Sequence, residues 1–345
     1  MTEKDSDNMS EEARKRAERK SKRAEIQSGS PRHPLIGPSR ILCAPLDSPE
    51  YLSFVNTFCV THQGSKEENK FKDIGTPEVK ALVKHLKERS GSAYASIVAR
   101  ELQVVMIVCR NDEHKAMFVD ASCVLETLAV MGRFAAYPEV QIQGFKALIN
   151  MGKGNEAKSQ IGNAGGFHII VSAMDEWKES DEVQEIGIWV TGSIVAANYQ
   201  NKVFAGEAGA IEAVLQALRA YPGNIGLQQV GLWTLGCLAA NHPENSNKIG
   251  KKGGISIVIN AMKAFSNISS LQEMGCWALA CLAAAGGKVA AKIIEKDGPN
   301  TVMASMNAQK LNPNIQLAGF TALAHLGSQS AIQKLMTMPA FSFFQ

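Results

Sequence analysis

Apolar and polar positions along this chain fall into a line that is written more than once. Residues 270–284 read SLQEMGCWALACLAA, and residues 226–240 read GLQQVGLWTLGCLAA. Apolar residues recur there three and four apart, without strict alternation, and predict a helix. Anchored on the glycine that follows Gln-x-x, the same line returns at Gly144 (VQIQGFKAL), Gly187 (VQEIGIWVT), Gly231, Gly275 and Gly319 (IQLAGFTAL), with spacings of 43, 44, 44 and 44. A period held to within one residue over five copies marks a repeat array.

A second line keeps the same period about 20 residues earlier: GGFHIIVSAM from Gly165, GAIEAVLQAL from Gly209, GGISIVINAM from Gly253 and GPNTVMASM from Gly298. It predicts a shorter helix opened by glycine, separated from the longer one by turn formers such as YPGN (221–224) and SNIS (266–269). Met131 stands 43 positions before Met174, so the array begins ahead of its clearest copies. A third, more polar element precedes each short helix: NEAKSQIG from Asn155, NYQNKVFAG from Asn198, ENSNKIGKK from Glu244 and GKVAAKIIEK from Gly287.

Three helices in about 43 residues, with glycine at the bend before the second, resemble the armadillo repeat. The wording NK-x-x-I-x-x-x-GGI followed by LQE-x-G-x-W-A-L-x-x-L-A carries the resemblance, over roughly residues 75–330. Its GCWAL and GGI…AM phrases are similar to armadillo stretches of leucine-rich-repeat-kinase-type proteins. The resemblance implies an all-α chain, a right-handed superhelix (α-solenoid) of about six three-helix repeats with degenerate ends. On this reading residues 1–40 form a disordered basic arm and residues 41–345 the armadillo domain: a degenerate cap (41–90), repeats (91–328) and a C-terminal cap (329–345). His85 to Asp112 fits one degenerate unit, with Glu101 where the glycine would fall, and Leu46 to Val60 fits the last helix of a capping unit. Phe341, Phe343 and Phe344 either cap the last helices or stay available to a partner.

The longer helices, numbered from Glu139, Glu182, Gly226, Ser270 and Asn314, align in columns. Position eight reads Lys146, Trp189, Trp233, Trp277 and Thr321; position twelve reads Asn150, Ser193, Cys237, Cys281 and His325; position four reads Ile142, Glu185, Gln229, Glu273 and Leu317. Positions four apart share one helix face. By the resemblance this face lines a concave groove, where three consecutive Trp would form a ladder. The alternative is that the Trp pack between neighbouring units. In the nuclear-import branch of the family, Trp at position eight and Asn at position twelve together hold an extended basic peptide. Here the Trp-bearing units carry Ser193, Cys237 and Cys281 instead, too short to clamp a peptide backbone from both ends. Aromatic walls beside Glu185 and Glu273 still suit extended segments with Lys, Arg or aliphatic side chains. The column of Met131, Met174, Met262 and Met306, with Leu218 in register, reads as core filling.

Composition narrows the function further. A net charge of +3 over 345 residues gives no chain-wide field for nucleic acid or a membrane surface. Seven cysteines without a CxxC pair favour a reduced, cytoplasmic setting, with the nucleus as the alternative. No stretch resembles a leader or a membrane span. Dispersed histidines, glycines without a preceding strand and the lack of any recurring triad argue against an enzyme, a cofactor, a metal or a small-molecule substrate. Arg14, Lys15, Arg16, Arg19, Lys20, Lys22 and Arg23 make the N-terminal arm a nuclear signal, a tether for an acidic partner or a solvated tail. The expectation is a non-catalytic scaffold or adaptor that holds protein segments or partner domains. A basic-peptide import adaptor and a regulatory module of a larger signalling protein are the alternatives.

Overall fold

The computed structural model describes residues 74–327. The basic arm, the expected helix at Leu46 to Val60 and the segment with Phe341, Phe343 and Phe344 lie outside the described residues. Every regular element described is helical. A helix pair comes first, α1 (Thr76–Glu88) and α2 (Ala95–Val108), linked by a 3₁₀ turn at Ser92–Tyr94. Five three-helix units follow. They comprise α3 (Asp112–Asp120), α4 (Cys123–Arg133) and α5 (Pro138–Met151); α6 (Asn155–Asn163), α7 (Gly166–Glu176) and α8 (Asp181–Val195); and α9 (Tyr199–Glu207), α10 (Ala210–Ala220) and α11 (Ile225–Ala239). The last two are α12 (Pro243–Lys251), α13 (Gly254–Ala264) and α14 (Ser269–Ala283), then α15 (Gly287–Glu295), α16 (Gly298–Ala308) and α17 (Pro313–His325). Third helices α2, α5, α8, α11, α14 and α17 stack on one another in a row, and second helices α1, α4, α7, α10, α13 and α16 form a parallel row behind them. Helices α1 and α2 therefore stand as the second and third helices of a unit, and the division placed at residue 90 falls between them.

Each boundary has a local cause. Polar caps open several helices: Asn111 accepts hydrogen bonds from the amides of Glu113 and His114, Ser180 from Val183, Asn198 from Asn201, Asn224 from Leu227 and Asn312 from Ile315. The bend before each second helix from α4 onward needs one residue in the left-handed region. Gly165, Gly209 and Gly253 supply it with φ of 73°, 85° and 86°, at no side-chain cost. Ser122 and Asp297 do the same work in the flanking units. In the last unit the residue at the bend is thus Asp297, and the Gly298 that the sequence suggested lies one step inside the helix.

The two columns read from the sequence meet in space. A Cβ on Gly144, Gly187, Gly231, Gly275 or Gly319 would lie 2.4–2.7 Å from Met131, Met174, Leu218, Met262 or Met306 respectively, and those five side chains are all buried. Each third helix is thus notched by glycine to seat the long apolar side chain of its own second helix. In the first pair the contact changes character: Glu101 stands where the glycine would be, and its carboxylate lies 3.1 Å from Arg89 Nε and 3.9 Å from His85 Nδ1. Burial, followed by the Arg89 charge, holds the His85 imidazole down at about 4.

The glutamine of Gln-x-x-Gly closes the other end of the second helix. Gln141, Gln184, Gln228, Gln272 and Gln316 are buried. Each donates from Nε2 to two carbonyls at the C-terminal end of the preceding helix, for example Gln228 to Leu218 at 2.8 Å and Tyr221 at 3.1 Å. Carbonyls of a last helical turn have no partner within the helix, and this side chain supplies one. Between units, Asn201 Nδ2 donates to Lys158 O and Ile194 O, and Asn245 Nδ2 repeats the bond to Lys202 O and Leu238 O.

Candidate functional site

The row of third helices presents positions four, eight and twelve along one surface. Trp189 is 48% exposed, whereas Trp233 and Trp277 are partly buried against the core. The difference comes from the preceding unit. A Cβ on Gly192 would fall 2.5 Å from the Trp233 ring, and one on Gly236 would fall 2.3 Å from the Trp277 ring, so each glycine admits the indole that follows it. For Trp189 the equivalent position is Ile149, which offers no such slot. Two rings therefore lean on the neighbouring unit, and the third stands out from the surface. Thr234, beside Trp233, donates from Oγ1 to Ile188 O at 3.0 Å and ties α11 to α8.

Position four forms a polar rail with one gap. Gln229 Oε1 accepts from Ser270 Oγ at 2.8 Å, and Glu273 Oε1 accepts from Asn314 Nδ2 at 3.1 Å. The residue facing Glu185 is Gly226, whose Cβ would lie 3.1 Å from both carboxylate oxygens. Glycine has no side-chain donor, and Glu185 accepts no side-chain hydrogen bond among the described residues. Burial, then the nearby Asp181 and Glu182, push its pKa up. Lys146 at position eight is drawn to Glu182, at 3.5 Å, and Asn224 Nδ2 lies 3.3 Å from Asp181 Oδ2.

Position twelve is largely occupied by structure. Asn150 Nδ2 donates to Met106 O at 2.7 Å, and His325 Nδ1 lies 3.1 Å from Ala280 O. Cys237 is buried, Cys281 partly so and Ser193 partly so. Burial pushes the Cys237 thiol up to about 12 and Cys281 to about 11, which favours the protonated thiols. Two lysines not singled out from the sequence flank this row. Lys158 Nζ donates to Ala196 O at 2.7 Å, and Lys202 Nζ donates to Ala240 O, each closing the C-terminal end of a third helix. Burial lowers the pKa of both. Their spacing of 44 in the polar first helix was the available signal.

The surface between these columns holds two depressions. One, about 350 Å³, is lined by Glu185, Trp189, Gly226, Gln229, Trp233 and Met274. The other, about 630 Å³, lies against Trp233, Trp277, Ala280, Cys281, Leu317 and His325, with Glu273 and Asn314 at its rim. Among the described residues no cluster of His, Cys, Asp and Glu could hold a metal ion, and no helix is long and apolar enough to cross a membrane.

Stacked three-helix units with a continuous third-helix face define an α-solenoid, a class that works through its extended surface. Residues 99–252 match the family model described as LRRK2 ARM repeat. An engineered protein solved by a structural-genomics consortium is similar over 73% of this chain and 97% of its own, with a TM-score of 0.63 and 20% identity. A designed armadillo repeat protein in complex with the peptide (KR)4 is similar over 72% and 99%, with a TM-score of 0.60 and 19% identity. No curated protein matches the chain. The fold is that of armadillo-repeat solenoids.

Proposed function

We propose that this protein is a non-catalytic scaffold that holds an extended segment of a partner protein along the third-helix face of α8, α11 and α14. The observation that carries this reading is the row of Trp189, Trp233 and Trp277 along consecutive units, beside a carboxylate, Glu185, that accepts no side-chain hydrogen bond among the described residues. Indole faces hold aliphatic stems and cations, and a carboxylate already crowded by like charges gains from an incoming ammonium or guanidinium. The similar designed protein was solved with a Lys/Arg peptide, which supports the same ligand class. An import-type adaptor fits less well, because Asn150 is committed to Met106 O and the Trp-bearing units have no amide at position twelve. A regulatory armadillo module of a larger signalling protein is favoured by the family-model match over residues 99–252, and an in-frame transcript joining this chain to a catalytic domain would establish it. We place the protein in the cytoplasm or nucleus, a reading supported by the free cysteines of the described residues. A fluorescent fusion that changes compartment when Arg14 to Arg23 are neutralised would assign the arm a targeting role.

Peptide display on the full chain tests the main reading. Selected peptides should share an extended Lys- or Arg-bearing pattern and should be lost with a Trp189→Ala, Trp233→Ala, Trp277→Ala variant of unchanged circular dichroism. Selection of the same peptides by that variant would move the working surface elsewhere.

A further inference from the structure

Position four changes chemistry along the groove. It carries Glu185, then Gln229 and Glu273, both held by side chains of the next unit, and ends at Leu317. Leu317 is 69% exposed and belongs to the larger depression, which is floored by Ala280, Cys281 and Ala284 and walled by Trp277. The smaller depression is the one beside Glu185, which accepts no side-chain hydrogen bond among the described residues. The two depressions share Trp233 and Met274 and differ in shape and contacts: the smaller sets Glu185 between two indoles, and the larger has room for a large side chain against Trp277, Leu317 and alanines, with Glu273, Asn314, Thr321 and His325 also in its lining. An exposed leucine beside an alanine floor is apolar surface that a ligand can cover.

Resting on the groove reading above, we propose that the ligand is a segment of a partner protein with two unlike anchors. A Lys or Arg enters between Trp189 and Trp233 onto Glu185, and an aromatic or large aliphatic side chain enters between Trp277 and Leu317. Charge complementarity selects the occupant of the first site, since Asp181 adds to the negative charge of Glu185, with Lys146 drawn to Glu182 on the far side. Size and apolar contact select the occupant of the second, where the Trp277 ring, the exposed Leu317 and the alanines offer a surface for a large apolar side chain. Stacked helices lie roughly 8–10 Å apart, so the two sites, two units apart, are separated by about 16–20 Å, or roughly five to six extended residues.

The test uses fluorescently labelled Gly/Ser carrier peptides with one Arg and one Phe placed about four to seven residues apart, and matched peptides with only one of the two, titrated into the full chain. The best paired peptide should bind about tenfold or more tightly than either single-anchor peptide, as burial of one large apolar side chain implies. Glu185→Gln should cost the Arg peptides about three- to tenfold and flatten their salt dependence, while the Phe-only peptide is unaffected. Leu317→Ser, at an exposed position, should cost the Phe peptides a similar factor and leave the Arg-only peptide unaffected. An Arg-only peptide that binds as tightly as the pair, or a Leu317→Ser variant with unchanged Phe affinity, overturns the second anchor and leaves the groove reading standing. Failure of every peptide removes both. Tighter peptide binding after Phe341, Phe343 and Phe344 are changed to Ser would make the chain's own tail the occupant and overturn the proposal of an outside partner.

Discussion

Replacing Gln228 by Ala removes both hydrogen bonds that close α10. Nε2 of this buried side chain donates to Leu218 O at 2.8 Å and to Tyr221 O at 3.1 Å. Each bond contributes about 1 kcal/mol, and a buried acceptor left without a donor costs about 1–3 kcal/mol. Tyr221 is only partly buried, so water can reach its carbonyl, whereas Leu218 is enclosed. The expected loss is about 2–4 kcal/mol, against less than about 0.5 kcal/mol for Gln216→Ala at an exposed position of the same helix. Solenoid stability is a sum of unit and nearest-neighbour terms, so the loss should be local. Urea denaturation gives the total, and hydrogen exchange should show faster opening of α10 and the start of α11 than of α5 or α17. A loss for Gln228→Ala no larger than that for Gln216→Ala, with unchanged exchange in α10, would refute the capping role.

Other changes test other contacts. Gly275→Ala puts a methyl group 2.4 Å from Met262 Cγ and should cost about 1–3 kcal/mol by thermal melting; wild-type stability would mean that the glycine notch is not needed. Ala197 holds a left-handed φ of 56°, so Ala197→Gly should raise stability by up to about 1 kcal/mol, and a lower melting temperature would contradict the strain. Glu185 has a folded pKa raised above its unfolded value, so its ionisation disfavours the fold as pH rises through that window. Glu185→Gln should therefore match or exceed wild-type stability at neutral pH, with the difference vanishing below the ordinary carboxylate range; a variant less stable at neutral pH would assign the carboxylate an internal partner. Because Gly192 seats Trp233 and Ile149 offers Trp189 no slot, Trp233→Ala should lower the melting temperature more than Trp189→Ala. Equal losses would dissolve the distinction between the two rings.

The period of 43–44 residues made the fold legible, because every unit buries the same faces and must repeat the same residues to do so. Columns were visible, but contacts between columns were not. The methionines and the glycines are 13 positions apart on different helices, and only the angle between second and third helices shows that one seats the other. Gln228 marked the register without revealing its carbonyl partners seven and ten residues back. The unequal exposure of the three Trp depends on Ile149, Gly192 and Gly236, each in the preceding unit, and the gap in the polar rail depends on Gly226 in the following one. Such pairings need the exact offset between stacked helices, which a period alone does not supply. Groove and packing are not alternatives for the whole Trp column, because the indoles divide: Trp189 stands exposed, while Trp233 and Trp277 lean on the unit before.

The most direct test of the central claim is the affinity of display-selected peptides for the full chain, for Trp189→Ala and for the triple Trp variant, each checked by circular dichroism. Trp189→Ala is included because its ring is 48% exposed and its removal leaves the packing of α8 in place. A working groove predicts a loss of about tenfold or more for Trp189→Ala and a larger one for the triple variant, as for aromatic anchors at an interface. Affinities within about twofold of wild type for both variants would show that the peptides bind elsewhere on the solenoid, and the third-helix face would lose its assigned role.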